Sequence, residues 1–126
     1  MNLPVDEGLS AVSDARRAVA SQLRSWGVLS VLDSAELVVS ELLTNARLHT
    51  TGPVQIAVTT IENGVRIEVK DNAAHAEPTA NDSTVEDTTG RGLTIVNALS
   101  ADWGVERDKT GTGKTVWAEL SLGESA

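Results

Sequence analysis

The chain contains no cysteine, no tyrosine and no phenylalanine. The first absence excludes disulfides, thiolate metal sites and thiol catalysis. The other two leave three tryptophans as the only aromatics, so the core has to be assembled from Val, Leu, Ile and Ala. Cationic side chains are scarce as well: 10 Lys and Arg stand against 18 Asp and Glu, a net charge of −8. Nucleic-acid-binding surfaces are normally basic, so direct contact with nucleic acid is not expected. Binding of a nucleotide remains open, because a local pocket with a metal ion and a few cations can hold phosphates inside an acidic protein. No apolar run approaches the ~18 residues a membrane helix requires. Met1 to Gly8 shows no basic stretch followed by an apolar one, as a signal peptide would. A cytoplasmic protein without membrane association is the expectation, and 126 residues suit a single domain, 1–126.

What is present falls into alternating helical and extended patterns. Val12, Ala15, Val19, Leu23 and Trp26 recur at spacings of three and four, which predicts a helix from Ser10 to Trp26 with Gly27 as its stop. Asp33, with Glu36 three residues on, has the form of a capping box. The helix it opens runs to about His49, where Thr50, Thr51, Gly52 and Pro53 break it. Val54, Ile56 and Val58, then Val65, Ile67 and Val69, alternate with polar residues, and Asn63-Gly64 between them is a hairpin signal. The stretch from Asn72 to Gly90 has few residues suited to a core. A structureless segment of that length is usually functional or disordered. Leu93, Val96 and Leu99 predict a short helix, and Trp103–Arg107 and Lys114–Leu122 a second hairpin. The order helix, helix, strand, strand, loop, helix, strand, strand predicts an α+β fold, with three helices on one face of a mostly antiparallel sheet.

Some polar residues occupy positions that a plain core would not give them. Ala35, Val38, Val39, Leu42 and Ala46 share one face of the second helix, while Glu36, Ser40 and Arg47 point roughly the opposite way, to water. Glu41, Asn45 and His49 stack four apart in a stripe between the apolar face and Leu37 and Leu48. A carboxylate and an amide there either bond neighbouring backbone or face a ligand, since leaving them unsatisfied is costly. His49 also suits a helix end, where positive charge complements the macrodipole. Asp71 continues the inward phase of Val65, Ile67 and Val69. It either ends that strand as a buried hydrogen-bond acceptor or begins the turn. Gly90-Arg91-Gly92 before a helix suits phosphate binding at free N–H groups, or the hinge of a lid. Asp108 to Thr115 is not a P-loop, because it lacks the first glycine and is followed by a strand pattern.

These residues coincide in one family. Glu41-Leu-Leu-Thr-Asn45-Ala46-Arg-Leu-His49 resembles the N box of histidine-kinase-like ATPases, the Bergerat ATP-binding fold, a two-layer α/β sandwich. Asp71 resembles that family's adenine-recognising aspartate, Gly90-Arg91-Gly92-Leu93 its glycine-rich phosphate box, and Gly113-Lys114-Thr115-Val-Trp117-Ala-Glu-Leu its final strand. The match covers about Ala15 to Leu120 and is most similar to the anti-sigma-factor serine/threonine kinase branch, in its short actinobacterial form. Two glycines that the family often carries after the aspartate are replaced here by Ala73 and His75.

The resemblance implies binding of ATP and Mg, with Asn45 as the magnesium ligand and Glu41 as the catalytic residue that activates the attacking hydroxyl. It assigns His49, Asp71, Gly90, Arg91, Gly92 and Leu93 to the nucleotide, Thr115 to support of the adenine site, and residues 72–90 to a lid. Lys114 is a further candidate for offsetting phosphate charge. The implied activity is phosphoryl transfer from ATP to a serine or threonine of an anti-anti-sigma (STAS-type) antagonist. A sigma factor would be the second partner, and a homodimer the assembly. The alternatives are a nucleotide-gated binding module without kinase activity and an interaction domain that has lost the nucleotide.

Overall fold

The computed structural model describes residues 1–5, 8, 10–49, 53–71, 94–107 and 113–122, with backbone alone at 48 and 49. Strand β1 (Asn2–Val5) is followed by helices α1 (Ala11–Ser25) and α2 (Leu32–His49) and by strands β2 (Val54–Ile61) and β3 (Gly64–Asp71). Residues 94–99 form a short helix, α3. Strands β4 (Asp102–Arg107) and β5 (Lys114–Ser121) complete one sheet of order β1-β2-β3-β5-β4. Every neighbouring pair in it is antiparallel. The architecture is the expected α+β sandwich. Gly90 to Leu93 and the expected lid, 72–90, lie outside the described residues.

The core lies between the helices and one face of the sheet. Ala15, Val19 and Leu23 of α1 meet Ala35, Val38, Val39, Leu42, Leu43 and Ala46 of α2, and the inward residues of β2, β3 and β5 close it from below. Each strand alternates as its pattern predicts, with Val54, Ile56 and Val58, Val65, Ile67 and Val69, and Val116, Ala118 and Leu120 all buried. On the other face Arg66 hydrogen-bonds Glu119 at 2.8 Å and Glu68 at 2.9 Å. Its guanidinium also lies 4.3 Å from the Trp117 ring centroid. Burial pulls the Arg66 pKa down, but the hydrogen bonds to Glu119 and Glu68 outweigh it and leave the pKa raised.

Several local expectations shift. α2 begins at Leu32, so Asp33 lies in its first turn, where a carboxylate suits the macrodipole, and does not cap it. Trp26 sits beyond α1 and is 37% exposed. Arg47 is not directed to water: its Nη2 donates to the Val5 carbonyl at 3.1 Å and ties α2 to β1. Leu37 is no apolar wall, being 48% exposed. In the first hairpin Ile61 pairs with Gly64, so the loop residues are Glu62 and Asn63, and Asn63 alone takes positive φ. Gly64 is required for close approach instead, because a Cβ there would run into the Leu120 carbonyl oxygen. β1 is an addition, since Pro4 weakens any strand reading of the first residues. Its place at the sheet edge accommodates that proline.

Gly27 ends α1 as the sequence predicts. Its φ is +74°. Its N–H donates to Arg24 O at 2.9 Å and that of Val28 to Leu23 O at 2.8 Å, the two bonds of a Schellman motif. A Cβ on Gly27 meets nothing within 4 Å, so a substitution there costs conformational energy alone. Gly27→Ala is expected to lower the unfolding free energy by about 1 kcal/mol, and Gly27→Asn by less, measured by urea denaturation.

Candidate functional site

The strand registers bring one row of residues together across the whole sheet. Val5 pairs with Val54, Val54 with Asp71, Asp71 with Lys114, and Lys114 with Arg107. The row marks one end of the sheet, and the bond from Arg47 to Val5 fixes the last turns of α2 over it. Asn45 and Asp71 therefore belong to one end of the molecule, although 25 residues of sequence separate them.

Along α2 the stripe sinks inward: Glu41 is half-buried and Asn45 is 7% exposed. The Oδ1 of Asn45 is buried and has no hydrogen-bond partner among the described residues. A buried acceptor left unsatisfied costs about 1–3 kcal/mol, so this oxygen calls for water, a ligand or a metal ion. A neutral amide oxygen is a hard donor of the kind magnesium accepts, and magnesium normally completes its shell with waters and phosphates. Among the described residues no group of three or more His, Cys, Asp or Glu can hold a metal.

Asp71 is the last residue of β3, on its inward face and 1% exposed. The strand reading of the sequence is thus the one adopted. Lys114, also 1% exposed, sets its Nζ 3.8 Å from Asp71 Oδ2, an ion pair longer than a hydrogen bond. One assignment changes in consequence. Thr115 pairs with Lys70 on the opposite face of the sheet, so Lys114, and not Thr115, stands beside Asp71. The Lys114 ammonium lies at the carboxylate. Its phase was readable, since Lys114, Val116, Ala118 and Leu120 alternate as one inward set. Lys114–Ser121 is a strand, in keeping with the rejection of a P-loop.

The His49 side chain and Gly90, Arg91, Gly92 and Leu93 lie outside the described residues. A cleft of about 410 Å³ between β1 and α1 is lined by none of the candidate residues. Among the described residues no helix is long and apolar enough to cross a membrane.

A five-stranded antiparallel sheet under helices, with a buried amide and a buried carboxylate at one end, defines a two-layer α+β domain. A family model described as a histidine kinase-like ATPase domain matches residues 6–120, and the chain belongs to that family. No curated protein matches it.

If Asn45 serves a ligand and not the fold, an apolar residue of the same size should cost nothing in its absence. Asn45→Leu is expected to melt at or above the wild-type temperature without nucleotide, and to show no thermal shift with Mg-ATP. A lower melting point would mark Asn45 as structural.

Proposed function

We propose that the protein is an ATP-dependent regulatory switch of the anti-sigma-factor kinase type. It would bind Mg-ATP at the end of the sheet bearing Asp71 and Asn45, and phosphorylate a serine or threonine of an anti-anti-sigma (STAS-type) antagonist. A sigma factor would be its second partner, and a homodimer its assembly. The reading takes residues 1–126 as one domain acting in the cytoplasm. The observation that carries it is the buried Oδ1 of Asn45, which has no hydrogen-bond partner among the described residues, in a chain of the histidine kinase-like ATPase family.

The roles follow from the side chains. Asn45 Oδ1 offers a neutral oxygen to the metal without adding negative charge to a phosphate site. Asp71, buried at its strand end, accepts a hydrogen bond from the exocyclic amine of the base. Glu41 lies one helical turn before Asn45 and is half-buried, within the reach of a base that orients the attacking hydroxyl and takes its proton. His49, Gly90, Arg91, Gly92 and Leu93 are assigned to the phosphates. Their local positive character matters because the net charge of −8 repels ATP at long range. The bound nucleotide supplies the γ-phosphoryl group, and magnesium offsets its charge. The segment 72–90 is assigned as a lid that excludes water when closed.

A second reading is a nucleotide-gated binding module without transfer. It is favoured by the run Asp71-Asn72-Ala73-Ala74-His75, which carries no glycine where the family often has two.

Calorimetric titration with Mg-ATP tests the site. Wild-type protein is expected to bind, and Asp71→Asn to weaken binding roughly tenfold to a hundredfold, as the loss of a hydrogen bond to a charged group does. Absence of heat at millimolar Mg-ATP would leave only the degenerate interaction domain. Incubation of the bound protein with partner proteins then separates the two active readings. Phosphoserine or phosphothreonine on an antagonist, lost in Glu41→Gln, identifies the kinase. ATP that stays intact while the partner is retained identifies the gated module.

A further inference from the structure

A lysine at the start of a strand has an easy route to water, since its stem can run along apolar surface while the ammonium stays solvated. Lys114 does not take it. It is among the largest fully buried side chains, 1% exposed, with its ammonium 3.8 Å from a carboxylate that is itself 1% exposed. Both residues are carried by neighbouring strands in fixed register, so no loop sets their separation.

We propose that Lys114 is the positioning residue that makes Asp71 selective for an amino-bearing base. This inference rests on the nucleotide-binding reading given above. An ionised carboxylate only accepts hydrogen bonds, whereas a neutral carboxyl also donates. The ammonium alongside and the strand pairing fix where the carboxylate oxygens point. A base that presents an N–H donor is then matched, and one without it leaves a buried charge facing an apolar C–H. Lys114 thus acts through Asp71, on the choice of base and not on the phosphates. Thr115, on the other face of the sheet, cannot take this role.

The test compares ATP with purine-riboside triphosphate, which differs only in lacking the 6-amino group. Dissociation constants are measured by calorimetry with magnesium present, on variants shown by circular dichroism to be folded. Wild-type protein is expected to prefer ATP by roughly tenfold to a hundredfold, the effect of one hydrogen bond to a charged group. Lys114→Met and Lys114→Gln should bring that ratio towards one, and Lys114→Arg should keep most of it. Asp71→Asn should abolish the preference, with no further change when Lys114→Met is added. Equal weakening for both nucleotides, at an unchanged ratio, would overturn the inference while leaving the nucleotide site intact. Failure of the wild type to bind either would overturn both readings together.

A second measurement needs no destabilised variant. The Lys114 ¹⁵Nζ resonance of the wild type, assigned by its loss in Lys114→Arg, should move on saturation with Mg-ATP and stay in place with the deaminated analogue. Equal shifts with both ligands would mark the lysine as a structural bystander.

Discussion

An ammonium and a carboxylate, each 1% exposed, face one another at 3.8 Å across the neighbouring inner strands β3 and β5. Burying two charges is costly, and their attraction offsets that only when the geometry is held. The register Asp71↔Lys114 holds it, and a slip of β3 by one residue would turn Asp71 to the opposite face along with every Val and Ile of β3. The pair and the apolar alternation therefore specify the same register. From it follow the row that ends at Val5 and Arg107 and the position of α2 above that row, tied by Arg47.

The second helix has two tasks on one surface. Its apolar face, Ala35 through Ala46, contributes heavily to a core that has no Phe or Tyr to draw on. Its polar stripe sinks from the half-buried Glu41 to the interior at Asn45, because positions four apart drift steadily around a helix of 3.6 residues per turn. That drift delivers an amide to the sheet end while leaving Glu41 half-open to solvent. An amide oxygen without a partner among the described residues is a local cost that the surrounding core can carry.

The periodicities of the sequence were enough for the helices, for the alternating strands β2, β3 and β5, and for the layered α+β arrangement. Hydrophobic spacing is a local property, and each of these elements buries one continuous face. Less local features escaped. β1 is held by pairing with a strand some 50 residues away and contains Pro4, so nothing in its own four residues announces it. Gly64 reads as a turn glycine in the motif Asn-Gly, yet its necessity comes from the Leu120 backbone of another strand. The exposure of Trp26 and Leu37 depends on where the helices end and what covers them, which spacing does not encode.

The site divides along the same line. The inward turn of Glu41 and Asn45 along their helix and the inward phase of Asp71 were legible, because side-chain direction follows from the helical and extended periods alone. Which residue stands beside Asp71 was decided by the pairing of β3 with β5, and it proved to be Lys114 and not Thr115. Adjacent residues on a strand point to opposite faces, so the choice between them turns on register. The sequence by itself determined the elements, their apolar faces and the chemical types available at the site. Only the tertiary structure decided which of those groups meet, because the energy that sets a register is shared among strands distant in the chain.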